Sequence, residues 1–281
     1  MLAGFKNFDP AVEKKLACHS DLPKFACAHA HRTGTTKAQR AVRDLVLIAY
    51  YYLLRVGEYT KNTRRKLKTR TRQFRLNDTT FYKKGSNRLM QTLPLNATEA
   101  DIMTVNAATL QISNKKNGHA GQCVHTWANV SSPEECPICA LGRRAIHIRK
   151  YSRRGGVLLC SFWEKVGHAH VTNKMISYTV KYAAGALHYP TRGTPLARVD
   201  THSLRSGGAC ALSLAGYKEH QITKMGRWAP RLTAFMEYIQ QQLSIHDVWR
   251  LPAQGPTKKA RRRWFGSNWP RGHQHADHAG H

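Results

Sequence analysis

Acid is scarce in this chain. Sixteen Asp and Glu stand against 45 Lys and Arg, a formal net charge of +29 over 281 residues. Little opposes that positive field, which draws polyanions at long range, and nucleic acid is the commonest such partner. Long apolar runs are missing as well. The longest, Leu45 to Leu54, falls far short of the ~20 residues a membrane-spanning helix needs, so no membrane partner is expected. The opening Met1-Leu-Ala-Gly-Phe-Lys6 lacks the pattern of a secretory signal, and a soluble intracellular protein is the expectation. An even set of cysteines is also absent: seven suit a reducing compartment better than a disulfide framework. With 41% apolar residues the chain can bury a real core, which sets aside a disordered basic polymer. Charge alone leaves an RNA-binding structural protein open.

Periodicity divides what is present. Residues 1–36 mix charged residues with small apolar clusters and end in Thr33-Gly34-Thr35-Thr36, giving one or two short helices and a loop. From Lys37 to about Thr60, Ala41, Leu45, Ile48, Tyr52 and Val56 recur at helical spacing, predicting a buried helix that carries Arg55 near its end. Gln73–Tyr82, Ala108–Ser113 and Gln122–Trp127 are short and rich in β-branched or aromatic residues, and a hairpin turn at Lys116-Asn117-Gly118 joins the last two. Helices follow over 134–149, 173–187 and 203–215, where Gly207 and Gly208 allow close packing. Two more over 220–250 break at Trp228-Ala229-Pro230. Beyond Leu251 the chain turns basic and then His-rich. The expected fold is α+β, mainly helical with a small antiparallel sheet.

One ordered set of residues carries chemistry: Arg55, then His202 and Arg205 in His-Ser-Leu-Arg, Trp228, and Tyr238. Arginine presents a planar fork that meets phosphate oxygens two at a time. A tyrosine oxygen can form a covalent intermediate that splits one hard step into two. Donors aimed at a phosphoryl centre typically contribute ~3–4 kcal/mol each, and four of them could serve without a metal, so no cofactor is expected. Lysine is a compact donor whose pKa shifts readily, suited to an acid near neutral pH. Glu58, three residues after Arg55, is placed to orient that guanidinium.

In these stretches, Leu-Leu-Arg-Val-Gly-Glu-Tyr at 53–59, Lys-Lys-Asn-Gly at 115–118, His-Ser-Leu-Arg-Ser-Gly-Gly-Ala at 202–209 and the segment 226–239, the chain resembles the tyrosine recombinase (phage integrase) family, and most closely its eukaryotic mobile-element branch that includes cryptons. The resemblance covers roughly 37–250, leaving 1–36 as an N-terminal remnant and 251–281 as a disordered tail. It implies a catalytic domain in which Tyr238 is the nucleophile, Arg55 and Arg205 clamp the scissile phosphate, and His202 and Trp228 add donors. Lys116 would protonate the leaving 5′ oxygen, with Lys115 beside it on the DNA. Trp228 occupies a position that is histidine in much of the family, and the step from Trp228 to Tyr238 is a residue or so longer than usual. The implied partner is double-stranded DNA, bound as a synaptic dimer or tetramer. Family members usually clamp DNA with a separate N-terminal helical domain, but only 54 residues precede Arg55, so most of that second jaw is expected to be missing. A domesticated DNA-binding protein without cleavage is the alternative.

Two features remain. Cys123, His125, Cys136 and Cys139 are soft ligands, but Cys123 and His125 are spaced too tightly for common zinc modules, and no metal is expected. The run Lys258-Lys259-Ala-Arg261-Arg262-Arg263 reads as a nuclear import signal or a DNA-backbone arm, and the nucleus is the expected location.

Overall fold

The computed structural model describes residues 15–32, 36–61, 72–85, 89–94, 96–112, 121–129 and 131–228. Their architecture is α+β, as the periodicity predicts. The central element is α2 (Lys37–Tyr51). Its start is capped by Thr36, whose hydroxyl accepts from the Gln39 N–H at 3.2 Å while the Gln39 amide oxygen accepts from the Thr36 N–H at 2.9 Å, a reciprocal capping box. Every residue from Ala41 to Tyr51 is buried, because the helix is apolar on nearly all sides and is enclosed by others. Around it pack α1 (Asp21–Arg32), α5 (Pro137–Tyr151), α6 (Asn173–Ala186) and α7 (Thr201–Leu214). Residues Leu16, Ala17, Cys18 and Leu22 are buried, so the described part of the N-terminal segment shares this core.

The helix expected to run from Lys37 to Thr60 is two helices. After α2 ends, Leu53 takes a left-handed conformation (φ 51°), and the Leu54 N–H reaches back to the Ala49 carbonyl at 3.0 Å. This is a Schellman-type stop, with leucine where glycine is usual. The chain then turns into the one-turn helix α3 (Val56–Tyr59), and Arg55 is its N-cap residue in extended conformation. Apolar spacing could not reveal the break, since Tyr52, Leu53 and Leu54 are themselves buried.

A four-stranded antiparallel sheet stands beside the helices in the order β2-β1-β3-β4, from β1 (Thr79–Lys84), β2 (Met90–Thr92), β3 (Ala107–Gln111) and β4 (Cys123–Trp127). The Tyr52 hydroxyl donates to the Ala108 carbonyl at 3.2 Å, tying sheet to helix. Strand β2, the short α4 (Glu99–Met103) and a second hairpin of β5 (Ser161–Glu164) and β6 (Gly167–His170) were not anticipated. Helix α8 (Glu219–Gly226) closes the described chain. No described helix is long and apolar enough to cross a membrane.

The four soft ligands separate in space. Cys123 and His125 point to the exposed face of β4, where the His125 ring shares a hydrogen bond of 2.8 Å with the Thr109 hydroxyl. Cys136 is fully buried at the start of α5, its sulfur accepting from the Asn129 N–H at 3.2 Å. Among the described residues no three His, Cys, Asp or Glu are grouped to hold a metal ion.

Candidate functional site

Two helix ends build the site. One is the corner after α2, carrying the Leu53 carbonyl, Arg55 and Glu58. The other is the end of α8, carrying Gly226, Arg227 and Trp228. Helix α7 runs between them and presents Arg205 to both. Its guanidinium donates through Nη1 to the Leu53 carbonyl at 2.5 Å and through Nη2 to the Gly226 carbonyl. Those bonds fix the plane of a side chain that is only 2% exposed. The Trp228 ring lies against it, 4.3 Å from guanidinium carbon to ring centroid, a cation–π contact strengthened by exclusion of water.

The close approach of α7 depends on its glycines. A Cβ on Gly208 would come within 2.2 Å of the Tyr50 carbonyl oxygen and 2.6 Å of a Leu53 methyl, and one on Gly207 within 2.2 Å of the Cys18 carbonyl oxygen. Only hydrogen fits at either place. The start of the helix is fixed by Asp200, whose carboxylate accepts from the His202 N–H at 2.8 Å, and by Ser203, whose hydroxyl accepts from the Asp200 N–H at 3.1 Å.

His202 stands in that first turn with its residue exposed at the surface. Desolvation around the ring, then the positive charges of Arg205 and Arg55, hold its pKa below the usual histidine value, while Asp200 pulls the other way. The imidazole is therefore biased to its neutral form at neutral pH.

Glu58 does more than its spacing suggests. It is 1% exposed, and its contact with the Arg55 guanidinium is long, 3.5 Å to Nη1. The close contacts are elsewhere: Oε2 accepts from the Arg55 backbone N–H at 2.7 Å and from Arg227 Nη2 at 2.8 Å. Arg227 was not singled out in the sequence. It is 1% exposed, donates also to the Leu53 carbonyl at 3.2 Å, and accepts at its own carbonyl from Arg55 Nη2 at 3.3 Å. Burial and Arg55 lower its pKa, while Glu58 acts to raise it. The signal that could have found it is its place between Gly226 and Trp228, inside a motif already marked.

The structure thus brings together Arg55, Glu58, His202, Arg205 and Trp228 from segments some 170 residues apart in sequence. Lys115, Lys116 and Tyr238 lie outside the described residues. The strands leading to Lys115 and Lys116 are described and paired: β3 and β4 run antiparallel with Gln111 opposite Cys123, and the ladder continues as the Ile112 N–H donates to the Gln122 carbonyl at 2.8 Å. A groove of about 890 Å³ between β4 and α8 is lined by Ile112, Gln122, Lys224 and Arg227. The ends of β3 and β4 and Arg227 therefore line one groove.

No family model matches the chain, and no curated protein matches it. Among solved structures it is similar to the XerH site-specific recombinase bound to a palindromic difH substrate in a post-cleavage complex. Identity is 12%, the match covers 84% of this chain and 54% of that one, and the TM-score is 0.49. The chain spans about half the length of that recombinase chain.

Proposed function

We propose that this chain is the catalytic domain of a DNA strand-transfer enzyme of the tyrosine recombinase type, from the mobile-element branch its motifs resemble. The observation that carries the reading is the meeting of Arg55 and Arg205, 150 residues apart in sequence, around one helix corner: Arg205 bonds the Leu53 carbonyl there, and Arg55 follows two residues on. His202 is close enough to both for their charges to lower its pKa. A phosphodiester is the anion that a fork of guanidinium donors fits, its oxygens met two at a time.

The chemistry follows from the residues. The Tyr238 phenol gives up its proton to solvent as its oxygen attacks phosphorus, and the bond from phosphorus to the 5′ oxygen breaks. Lys116 gives that oxygen its proton, leaving a 3′-phosphotyrosine and a free 5′-hydroxyl. Arg55 and Arg205 stabilise the charge that grows on the non-bridging oxygens as attack proceeds, with His202 and Trp228 as further donors. The reverse attack by a 5′-hydroxyl from another strand completes the transfer. Such an exchange requires copies of the chain paired on double-stranded DNA, and its place in a eukaryotic cell is the nucleus.

The test is a nicked suicide duplex whose cleaved end diffuses away. Protein joined to DNA should accumulate and survive denaturing electrophoresis. Tyr238→Phe should abolish the adduct while leaving DNA affinity within about a factor of ten, ~1.4 kcal/mol. An adduct that forms normally in Tyr238→Phe would move the nucleophile to another tyrosine. Salt-sensitive DNA binding with no adduct from the unmodified chain would instead support a domesticated DNA-binding protein.

A further inference from the structure

We infer that Arg227 is a positioning residue for the phosphate clamp, joining the corner that carries Arg55 to the helix end that carries Trp228. The inference rests on the strand-transfer reading and assigns one more residue to the same site. Three observations carry it.

The first is connectivity. Arg227 Nη2 donates to Glu58 Oε2 and to the Leu53 carbonyl, and its own carbonyl accepts from Arg55 Nη2. Glu58 Oε2 in turn holds the Arg55 backbone N–H at 2.7 Å, and the Leu53 carbonyl also receives Arg205. One side chain thus touches the anchors of both clamp arginines. The second is conformation. Arg227 ends α8 with φ 57°, and the Trp228 N–H reaches back to the Thr223 carbonyl at 3.1 Å, a helix stop where glycine or asparagine fits without strain. What an arginine adds at this strained position is its side chain, and that side chain makes the contacts just described. The third is chemistry. Arg55 and Arg227 have one carboxylate, Glu58, between them in the described contacts, and Arg227 Nε and Nη1 are buried with no partner among the described residues. A plain structural ion pair would leave fewer donors idle, since buried groups are ordinarily satisfied. Spare positive charge beside the clamp adds to the field on a phosphodiester and more to the doubly charged transition state.

The consequence is a rate effect. DNA affinity is spread over many backbone contacts, whereas misplacing Arg55 or Arg205 by about 1 Å acts on the transition state and costs on the order of 100-fold. The experiment uses the full chain, the suicide duplex under single turnover, and two variants: Arg227→Lys, and Glu58→Gln combined with Arg227→Gly. The double variant removes both charges together and places at 227 a residue suited to its backbone, so that the chain folds. The expected result is DNA affinity within about threefold of the unmodified chain and an adduct rate lower by about 100-fold in the double variant. Arg227→Lys should retain part of the unmodified rate, since it leaves Glu58 intact with a cation beside it but removes the fork. A folded double variant that cleaves at the unmodified rate would make Arg227 merely structural, and a loss of affinity equal to the loss of rate would make it an ordinary DNA contact; either overturns the inference. If the unmodified chain forms no adduct, the strand-transfer reading fails separately, and inorganic phosphate decides Arg227. A thermal midpoint raised by phosphate in the unmodified chain but not in the double variant upholds its role at an anion site. Equal response, or none, in both overturns it.

Discussion

Leu53 and Arg227 are side chains at positions that backbone geometry would rather give to glycine. Both have φ above 50° and both end helices at the site. A left-handed L-residue costs roughly 1–2 kcal/mol, and strain of this kind gathers where a particular geometry is needed. At Leu53 the side chain fills the core, which glycine could not do, and at Arg227 the guanidinium bonds Glu58. A histidine away from the site gives a pH prediction. His147 has its pKa lowered to about 4, first by burial and then by Arg144 and Lys37, and its Nε2 accepts from the Trp163 N–H at 3.3 Å. The unfolded chain takes that proton near pH 6.5 and the folded one resists it, so the stability tied to the neutral ring is fully present above pH 6.5 and is lost as pH falls through 4. Unfolding midpoints measured over that range should drop less steeply in His147→Gln, whose amide oxygen can still accept from Trp163. Parallel curves for the two proteins would refute this role.

At the scale of elements, the crossing of α7 over the end of α2 decides the geometry of the site. Gly208→Ala would set a methyl group against the Tyr50 carbonyl, and the backbone cannot yield cheaply. Overpacking of this kind typically costs about 1–3 kcal/mol. It would also lift Arg205 from the Leu53 carbonyl, so adduct formation should fall further than the loss of folded protein explains. Gly185→Ala in α6 is the control, because its Cβ would meet only a Leu196 methyl at 3.9 Å, ordinary contact. That change should be neutral or stabilising, as alanine is the better helix former by up to about 1 kcal/mol. Circular dichroism melts beside adduct yields would separate the two variants, and equal behaviour would mean the helix crossing does not control the site.

Over the whole molecule, charge dominates. A surplus of 29 positive charges cannot be neutralised within the chain, and a polyanion in contact with it releases counterions. The affinity for duplex DNA should therefore fall with salt, log affinity against log salt steepening by ~0.9 for each phosphate contacted. Titrations from low to high salt check this, and a flat response would contradict a DNA partner. Arg205→Ala, by contrast, should change that slope by at most about one contact while depressing adduct formation, because on the proposed function the site would touch one phosphate among many.

Sequence alone determined the fold class, the order of most helices and the residues to watch. Helical periodicity marked α6 almost to its ends, because it buries one regular face, and β-branched and aromatic content marked β3 and β4. It failed at Tyr52 to Arg55, where a break in the helix is as apolar as the helix itself, and at β2, β5 and β6, which are too short for any period to emerge. Motif chemistry marked Arg55, His202, Arg205 and Trp228, since each belongs to a residue type able to donate to phosphate, and spacing marked Glu58 as a partner of Arg55. Only the tertiary structure decided how they are held: that Glu58 spends its carboxylate on Arg227 and on the Arg55 backbone, and that a single carbonyl, Leu53, receives two arginines. The physical reason is that backbone carbonyls carry no signature of their own in a sequence. Which cations a carbonyl receives depends on helices crossing at glycine contacts, and the chain order is silent on where helices cross.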